Sequence, residues 1–198
     1  FIKGLRVTDE KIINIVEKVL IEFNNDIVDS LNKKGLKSVP INTKTKNIIN
    51  VIPENKELGF VGIPEKINNN IIDELIKSNQ IPVVAPLGLG NNKQTYNING
   101  DTAAGAIAKS LKSRRLLLMT NVEGVLNKQN KLVSEISSSK IFGMIKDGTI
   151  TGGMIPKINT CLDSVSNGVR GVVIMDGRKP HSILNEIFSD IGAGTLIR

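Results

Sequence analysis

Short apolar runs alternating with amphipathic helical patterns constrain this chain more than any other feature. Ile81-Pro82-Val83-Val84-Ala85-Pro86-Leu87, Leu116-Leu117-Leu118-Met119 and the stretch from Gly171 to Met175 carry no polar side chain. Such runs belong to strands buried on both faces of a parallel sheet. Helical patterns stand between and around them, at about Asn70 to Ser78, Thr102 to Leu111, 137–146, 155–167 and Pro180 to Ser189. The alternation predicts an α/β fold, an open and mainly parallel sheet with helices on both faces. An earlier helix is predicted from a cap at Thr8, with acid at Asp9 and Glu10 and a core-facing line of Ile12, Val16, Val19, Leu20 and Phe23, ending by Gly35. Ile48-Ile49-Asn50-Val51-Ile52 and Leu58-Gly59-Phe60-Val61-Gly62, joined through Pro53-Glu54-Asn55-Lys56, read as a hairpin.

At 198 residues and 40% hydrophobic content, the chain can build one sizeable core or two small lobes. The short basic stretch Lys112-Ser113-Arg114-Arg115 is the expected seam, dividing residues 1–112 from 113–198. No apolar run approaches the ~20 residues needed to cross a bilayer, and the opening residues do not form a signal peptide, so no membrane association is expected. A single cysteine excludes a disulfide-built domain and favours a reducing compartment, the cytoplasm or a plastid stroma. The net charge of +7 favours anionic partners. Nucleic acid is disfavoured, because the basic residues are scattered and one Tyr and five Phe give little to stack on.

Three segments can carry chemistry. In Thr149-Ile150-Thr151-Gly152-Gly153-Met154-Ile155-Pro156-Lys157, paired glycines enter a helix with a proline in its first turn. Phosphate can approach such a backbone, and Lys157 can reach a transferring phosphoryl group; an ordinary glycine turn with a solvated lysine fits the residues equally. In Tyr96-Asn97-Ile98-Asn99-Gly100-Asp101 a strand gives way to a helix, and alternation sets Asn97 and Asn99 on one side with Asp101 in the turn. Either Asn99 or Asp101 can instead simply cap the helix. The third segment, Met119-Thr120-Asn121-Val122-Glu123-Gly124-Val125-Leu126, is a polar loop after a buried strand, where α/β sheets commonly bind nucleotides. Cys161 falls on an apolar helix face with Ile158, Leu162 and Val165, as a core thiol would, and His181 has no acid or serine placed to form a triad.

Taken in order, Gly4-Leu5-Arg6-Val7-Thr8-Asp9, Leu58-Gly59-Phe60-Val61-Gly62, Ile81 to Pro86, Tyr96 to Ala104, Gly152 to Lys157 and Asp176-Gly177-Arg178 resemble the amino-acid kinase family, and within it the acetylglutamate kinases. The resemblance spans nearly the whole chain. It implies an α/β/α sandwich in which residues 1–112 belong to an acetylglutamate-binding lobe and 113–198 to an ATP-binding lobe. It further implies that Arg6, Asn97 and Asn99 hold N-acetyl-L-glutamate, that Lys157 stabilises the transferring phosphoryl group, and that Asp101 orders the catalytic lysines. Thr120, Asn121, Val122, Glu123, Gly124, Val125 and Leu126, with Thr149, Ile150, Thr151, Gly152 and Gly153, would line the ATP site. Asn121 stands where Asp is usual.

The implied reaction is ATP-dependent phosphorylation of the γ-carboxylate, a step of arginine biosynthesis, with Mg²⁺ arriving on the nucleotide and no resident metal. A homo-oligomer, a dimer or hexamer, is implied as well. The ending Phe188 to Ile197 resembles that of relatives inhibited by arginine, with Glu186 and the backbone near Gly192 as the inhibitor site and Val173 where those relatives carry His.

The chain also departs from the family. A Lys and Gly-Gly strand end and a His-Gly-Gly-Gly loop, usual there, are absent from these 198 residues. The gene is therefore expected to encode more before Phe1, since two βα units take about 60 residues. The chain alone is expected to lack two N-terminal sheet strands and to be inactive. The polar run Asn42 to Asn47 replaces a Gly-rich turn. Two rival readings stay open: a kinase acting on the one-methylene-longer acetylaminoadipate, and a catalytically dead remnant that binds arginine or a partner.

Overall fold

The computed structural model describes residues 6–198, so Gly4 and Leu5 of the first matching stretch lie outside the described residues. The chain divides into two compact units, one ending at Ala106 and the other running from Ile107 to Arg198. Among the described residues four strand pairs are parallel and three antiparallel, so the α/β alternation holds with more antiparallel pairing than the sequence suggests.

The first unit opens with the helix α1 (Glu10–Lys33). Its cap is Asp9, whose carboxylate accepts the Ile12 N–H at 2.8 Å, and not Thr8, which is fully buried. The expected core line holds only in part, with Val16 and Leu20 half-buried. Ile12, Val19 and Phe23 are 37%, 53% and 61% exposed, while Ile13, Asn24 and Val28 are buried. The inward face thus includes a polar residue, which a hydropathy period cannot register.

Strand β1 (Ser38–Ile41) pairs in parallel with β4 (Ile81–Val84), from Ser38↔Ile81 to Ile41↔Val84. A second sheet has the order β3-β2-β5-β6, made of β2 (Ile49–Pro53), β3 (Gly62–Ile67), β5 (Leu87–Leu89) and β6 (Thr95–Asn97). The helix α2 (Asn69–Lys77) packs against β4, and α1 packs against β1, β4 and β6.

Two strand boundaries shift from expectation. The hairpin exists, but its second strand begins at Gly62, because Asn55 caps a tight turn at Lys56–Leu58 instead of leading straight into a strand. Pro64 sits opposite Val51, beside an irregularity between Asn50 and Val51, a place where a residue without an N–H is tolerated. The run from Ile81 to Leu87 splits at Ala85-Pro86, so β4 and β5 join different sheets.

The helix α3 (Gly100–Ser110) carries the chain into the second unit. Its sheet has the order β7-β9-β10-β8, from β7 (Leu116–Thr120), β8 (Glu135–Ile136), β9 (Val172–Asp176) and β10 (Gly194–Ile197). Every residue of the central strand β9 is buried. The helices are α4 (Ser138–Lys146), α5 (Met154–Ser166) and α6 (Ser182–Phe188), and α5 packs on β9 and β10 with Ile158 and Cys161 fully buried. His181 takes a left-handed φ of 60° just ahead of α6, which delays that helix past Pro180.

Candidate active site

In the first unit the backbone gathers the residues expected to hold a carboxylate. Thr8 N–H donates to Leu58 O at 3.0 Å, Phe60 N–H to Thr8 O at 2.7 Å, and Asn97 N–H to Phe60 O at 2.9 Å. Arg6 to Thr8 and Asn97 therefore flank the segment Leu58 to Val61, which forms an isolated bridge to each. Gly59 makes this approach possible. Its φ is +67°, and a Cβ there would overlap the Thr8 carbonyl oxygen. Arg6 is exposed and Asn97 half-buried.

Asn99 does not sit on a strand beside Asn97. β6 ends at Asn97, and the Asn99 side-chain oxygen accepts the Thr102 N–H at 3.1 Å as the cap of α3. Alternation therefore fails for this pair. Asp101 lies in the first turn of α3.

In the second unit Gly152 has φ +56°, and both Gly152 and Gly153 face open space where a side chain would stand. The helix α5 begins at once, with Pro156 in its first turn and Lys157 just behind it. Two of its first N–H groups turn back, from Met154 to Thr151 O at 3.3 Å and from Ile155 to Gly152 O at 3.2 Å, so they are held more loosely than helical bonds.

A cleft of about 250 Å³ opens beside this start, lined by Val122, Gly124, Val125, Leu126, Thr149 and Ile150 from the expected set. Met154, from the glycine motif but given no role there, also lines it, as do Asn127 and Asn130, which the sequence reading did not single out. The polar turn Asn127-Lys128-Gln129-Asn130 was the available signal. Thr120, Asn121, Glu123, Thr151, Gly152 and Gly153 lie off this cleft wall. A space of that size is below the usual range for a whole ligand.

The loop is pinned from below and from its sides. Val125 N–H donates to Thr195 Oγ1 at 2.8 Å, and Gly124 packs on the same hydroxyl. Glu123 pairs with Lys179, and Gly177 N–H donates to Thr120 O at 2.8 Å. Asp147 receives the Thr149 hydroxyl at 2.6 Å and Lys128 at 3.0 Å, and these bonds hold its carboxyl below the ordinary aspartate value. Asp176, with a side chain only 5% exposed, is gripped at both oxygens by Arg178, whose hydrogen bonds pull its carboxyl down to about 2.

A larger cleft lies elsewhere, about 490 Å³ lined by Arg114, Arg115, Leu117, Glu186 and Ile187. A smaller one of about 190 Å³ shares Arg115 and Glu186 with it and adds the turn Ser189 to Gly192. Glu186 accepts the Ala193 N–H at 2.8 Å. Val173 stands in register between Leu117 and Leu196, each of which lines one cleft, and is itself fully buried.

Comparison with known proteins places this architecture. The sequence profile of the amino acid kinase family matches residues 2–176. An acetylglutamate kinase of Pelagibacter ubique is 58% identical over 198 residues, covering 100% of this chain and 69% of the relative. One of Jannaschia is 48% identical, with 100% and 70% covered. A crystal structure from Streptococcus mutans superposes with a TM-score of 0.85 at 32% identity, covering 100% of this chain and 76% of that one. The N-acetylglutamate synthase of Neisseria gonorrhoeae, complexed with coenzyme A and N-acetyl-glutamate, shares the fold at a TM-score of 0.89 and 21% identity, with 100% and 46% covered. This chain belongs to the amino acid kinase family.

Proposed function

We propose that this protein phosphorylates the γ-carboxylate of N-acetyl-L-glutamate with ATP, giving the acyl phosphate. The observation that carries the reading is the backbone relay Thr8–Phe60–Asn97, which sets Arg6 and Asn97 on either side of one segment. The names of relatives at 46–58% identity support it. In this reading the first unit binds acetylglutamate, through Arg6 and Asn97 with Asn99 acting chiefly as a helix cap, and the second binds ATP.

A γ-carboxylate with a pKa near ~4.3 is ionised at neutral pH and needs no general base. The barrier is the approach of one anion to another. Lys157 therefore serves as the charge that grows in value as the phosphoryl group moves, and Asp101 takes the role of ordering catalytic lysines. Open space over Gly152 and Gly153 leaves room for phosphate oxygens against the backbone. Val122, Leu126 and Met154 offer apolar surface to a base.

Mg²⁺ comes with the nucleotide. Glu123 and Asp147, in or next to the loops that form the cleft, are each engaged by a lysine, a donor set unsuited to a resident cage. Ile12, Ile15, Val19 and Phe23 form an exposed apolar line on α1, which supports a homo-oligomer. Arginine acts as an inhibitor at the Glu186 clefts, and the cytoplasm is the proposed location. No helix among the described residues is long and apolar enough to cross a membrane.

The test is acyl phosphate formation by the complete gene product, trapped as the hydroxamate with hydroxylamine. ATP-dependent product from acetylglutamate in clear excess over acetylaminoadipate is expected. No product from acetylglutamate would sink the assignment.

A further inference from the structure

We infer that Glu17, on the inward face of α1, is a positioning residue for the substrate strand β6, an inference that rests on the acetylglutamate site proposed above. Its Oε1 accepts both the Thr43 hydroxyl at 2.7 Å and the Thr95 hydroxyl at 2.7 Å, and Lys44 Nζ stands 3.2 Å from Oε2. The side chain is only 14% exposed. One carboxylate therefore joins α1, the loop after β1 and β6.

The loop that supplies two of these partners is itself fixed. Asn42 is buried, its Oδ1 accepts the N–H groups of Lys44 and Thr45 at 3.0 and 3.1 Å, and its amide donates to Asn24 Oδ1 at 3.1 Å. Asn24 in turn donates to Val83 O at 2.8 Å. This polar run, which breaks the family's glycine pattern, thus holds Thr43 and Lys44 against Glu17.

Burying a carboxylate costs more than burying a leucine, and an apolar residue would join helix to strand well enough. What the carboxylate adds is direction. It fixes the rotamer of Thr95, and Thr95 lies two residues before Asn97 on the same face of β6. β6 is three residues long, and among the described residues it pairs with β5 and, at Asn97 alone, with Val61, so its own ladder fixes its height and tilt weakly. At its far end Asn97 is held by the Phe60 carbonyl, and at its near end Thr95 is held by Glu17. Small errors in placing a substrate ligand are expensive in binding and rate.

The experiment is steady-state kinetics on the complete gene product with Glu17→Ala, Glu17→Gln, Thr95→Val and Thr95→Ser. Thr95→Val and Glu17→Ala should raise the acetylglutamate KM about tenfold, while kcat and the ATP KM stay within about twofold. Thr95→Ser restores the hydroxyl and should return KM to within about twofold of wild type. Glu17→Gln keeps an oxygen for both hydroxyls and loses the Lys44 pair, so its rise should be smaller than that of Glu17→Ala.

A purely structural role would lower melting temperature and active fraction with both KM values unchanged, and that result overturns the inference. Equal rises in both KM values overturn it too, as general loosening. If Glu17→Ala does not fold, the Val and Ser pair at Thr95 decides. Wild-type failure to turn over acetylglutamate defeats the functional reading itself, and the same control reports it separately.

Discussion

Lys157 and Arg6 carry the two charges that the proposed reaction uses differently. If Lys157 meets charge that builds only in the transition state, Lys157→Ala should lower kcat by roughly 10²–10³-fold with little change in the acetylglutamate KM. A guanidinium on a substrate carboxylate serves ground and transition states alike, so Arg6→Ala should raise that KM with kcat nearly unchanged. Equal and small effects from both in steady-state assays would remove the assignment. At this scale the turn before α5 was legible, because Gly152 takes a φ of +56° that few residue types tolerate. Asn99 was not, since a strand asparagine and a helix cap look the same until the strand end is known, and β6 stops at Asn97. Glu17 and Thr95 were invisible for another reason. They lie 78 residues apart, and only the fold brings them to 2.7 Å.

Elements were easier to anticipate than their faces. The helices over Asn69–Lys77, Gly100–Ser110 and Met154–Ser166 fall within a residue or two of the expected ranges, because their periodicity and glycine or proline boundaries are local signals. The face of α1 was misjudged, because its apolar residues exceed what one unit can bury and Glu17 and Asn24 take inward positions. The hairpin edge moved because the turn at Lys56–Leu58 consumed residues that read as strand. Gly59 explains how that turn meets Thr8, and it can be tested against a control. Gly35 and Gly59 both have positive φ, +84° and +67°, but a Cβ at Gly35 meets nothing and one at Gly59 meets the Thr8 carbonyl. Gly35→Ala should cost about 1 kcal/mol from φ strain alone, and Gly59→Ala about 2 kcal/mol or more. Urea denaturation of both variants measures the difference. Equal losses would mean that the Thr8 approach relaxes without cost.

At the level of the whole molecule, composition said least, because several of the 26 basic residues answer acids within the fold, as in Lys109–Asp163, Lys128–Asp147 and Arg198–Glu135. What charge remains matters where it faces a ligand. Two arginines, Arg114 and Arg115, line the cleft beside Glu186, and Arg115 also lines the neighbouring one. An arginine inhibitor would bring a like charge toward them. Its attraction must come from Glu186, whose carboxylate already takes the Ala193 N–H, and from the turn at Gly192. Val173 adds no polar contact. It is fully buried between Leu117 and Leu196, and a valine is too short to reach either cleft. The absent hydrogen bond is worth about 0.5–1.5 kcal/mol, or several-fold in affinity. Arginine should therefore inhibit the complete enzyme several-fold more weakly than it inhibits relatives with His at this position. Val173→His should recover part of the difference if its ring extends to a cleft edge, where water can solvate the second nitrogen. A ring confined to the core would be an unpartnered polar group and would lower the melting temperature without helping inhibition. Arginine titrations of both forms, read beside thermal denaturation, separate these outcomes. No inhibition in either form would mean that this end of the chain resembles the regulated relatives in structure alone.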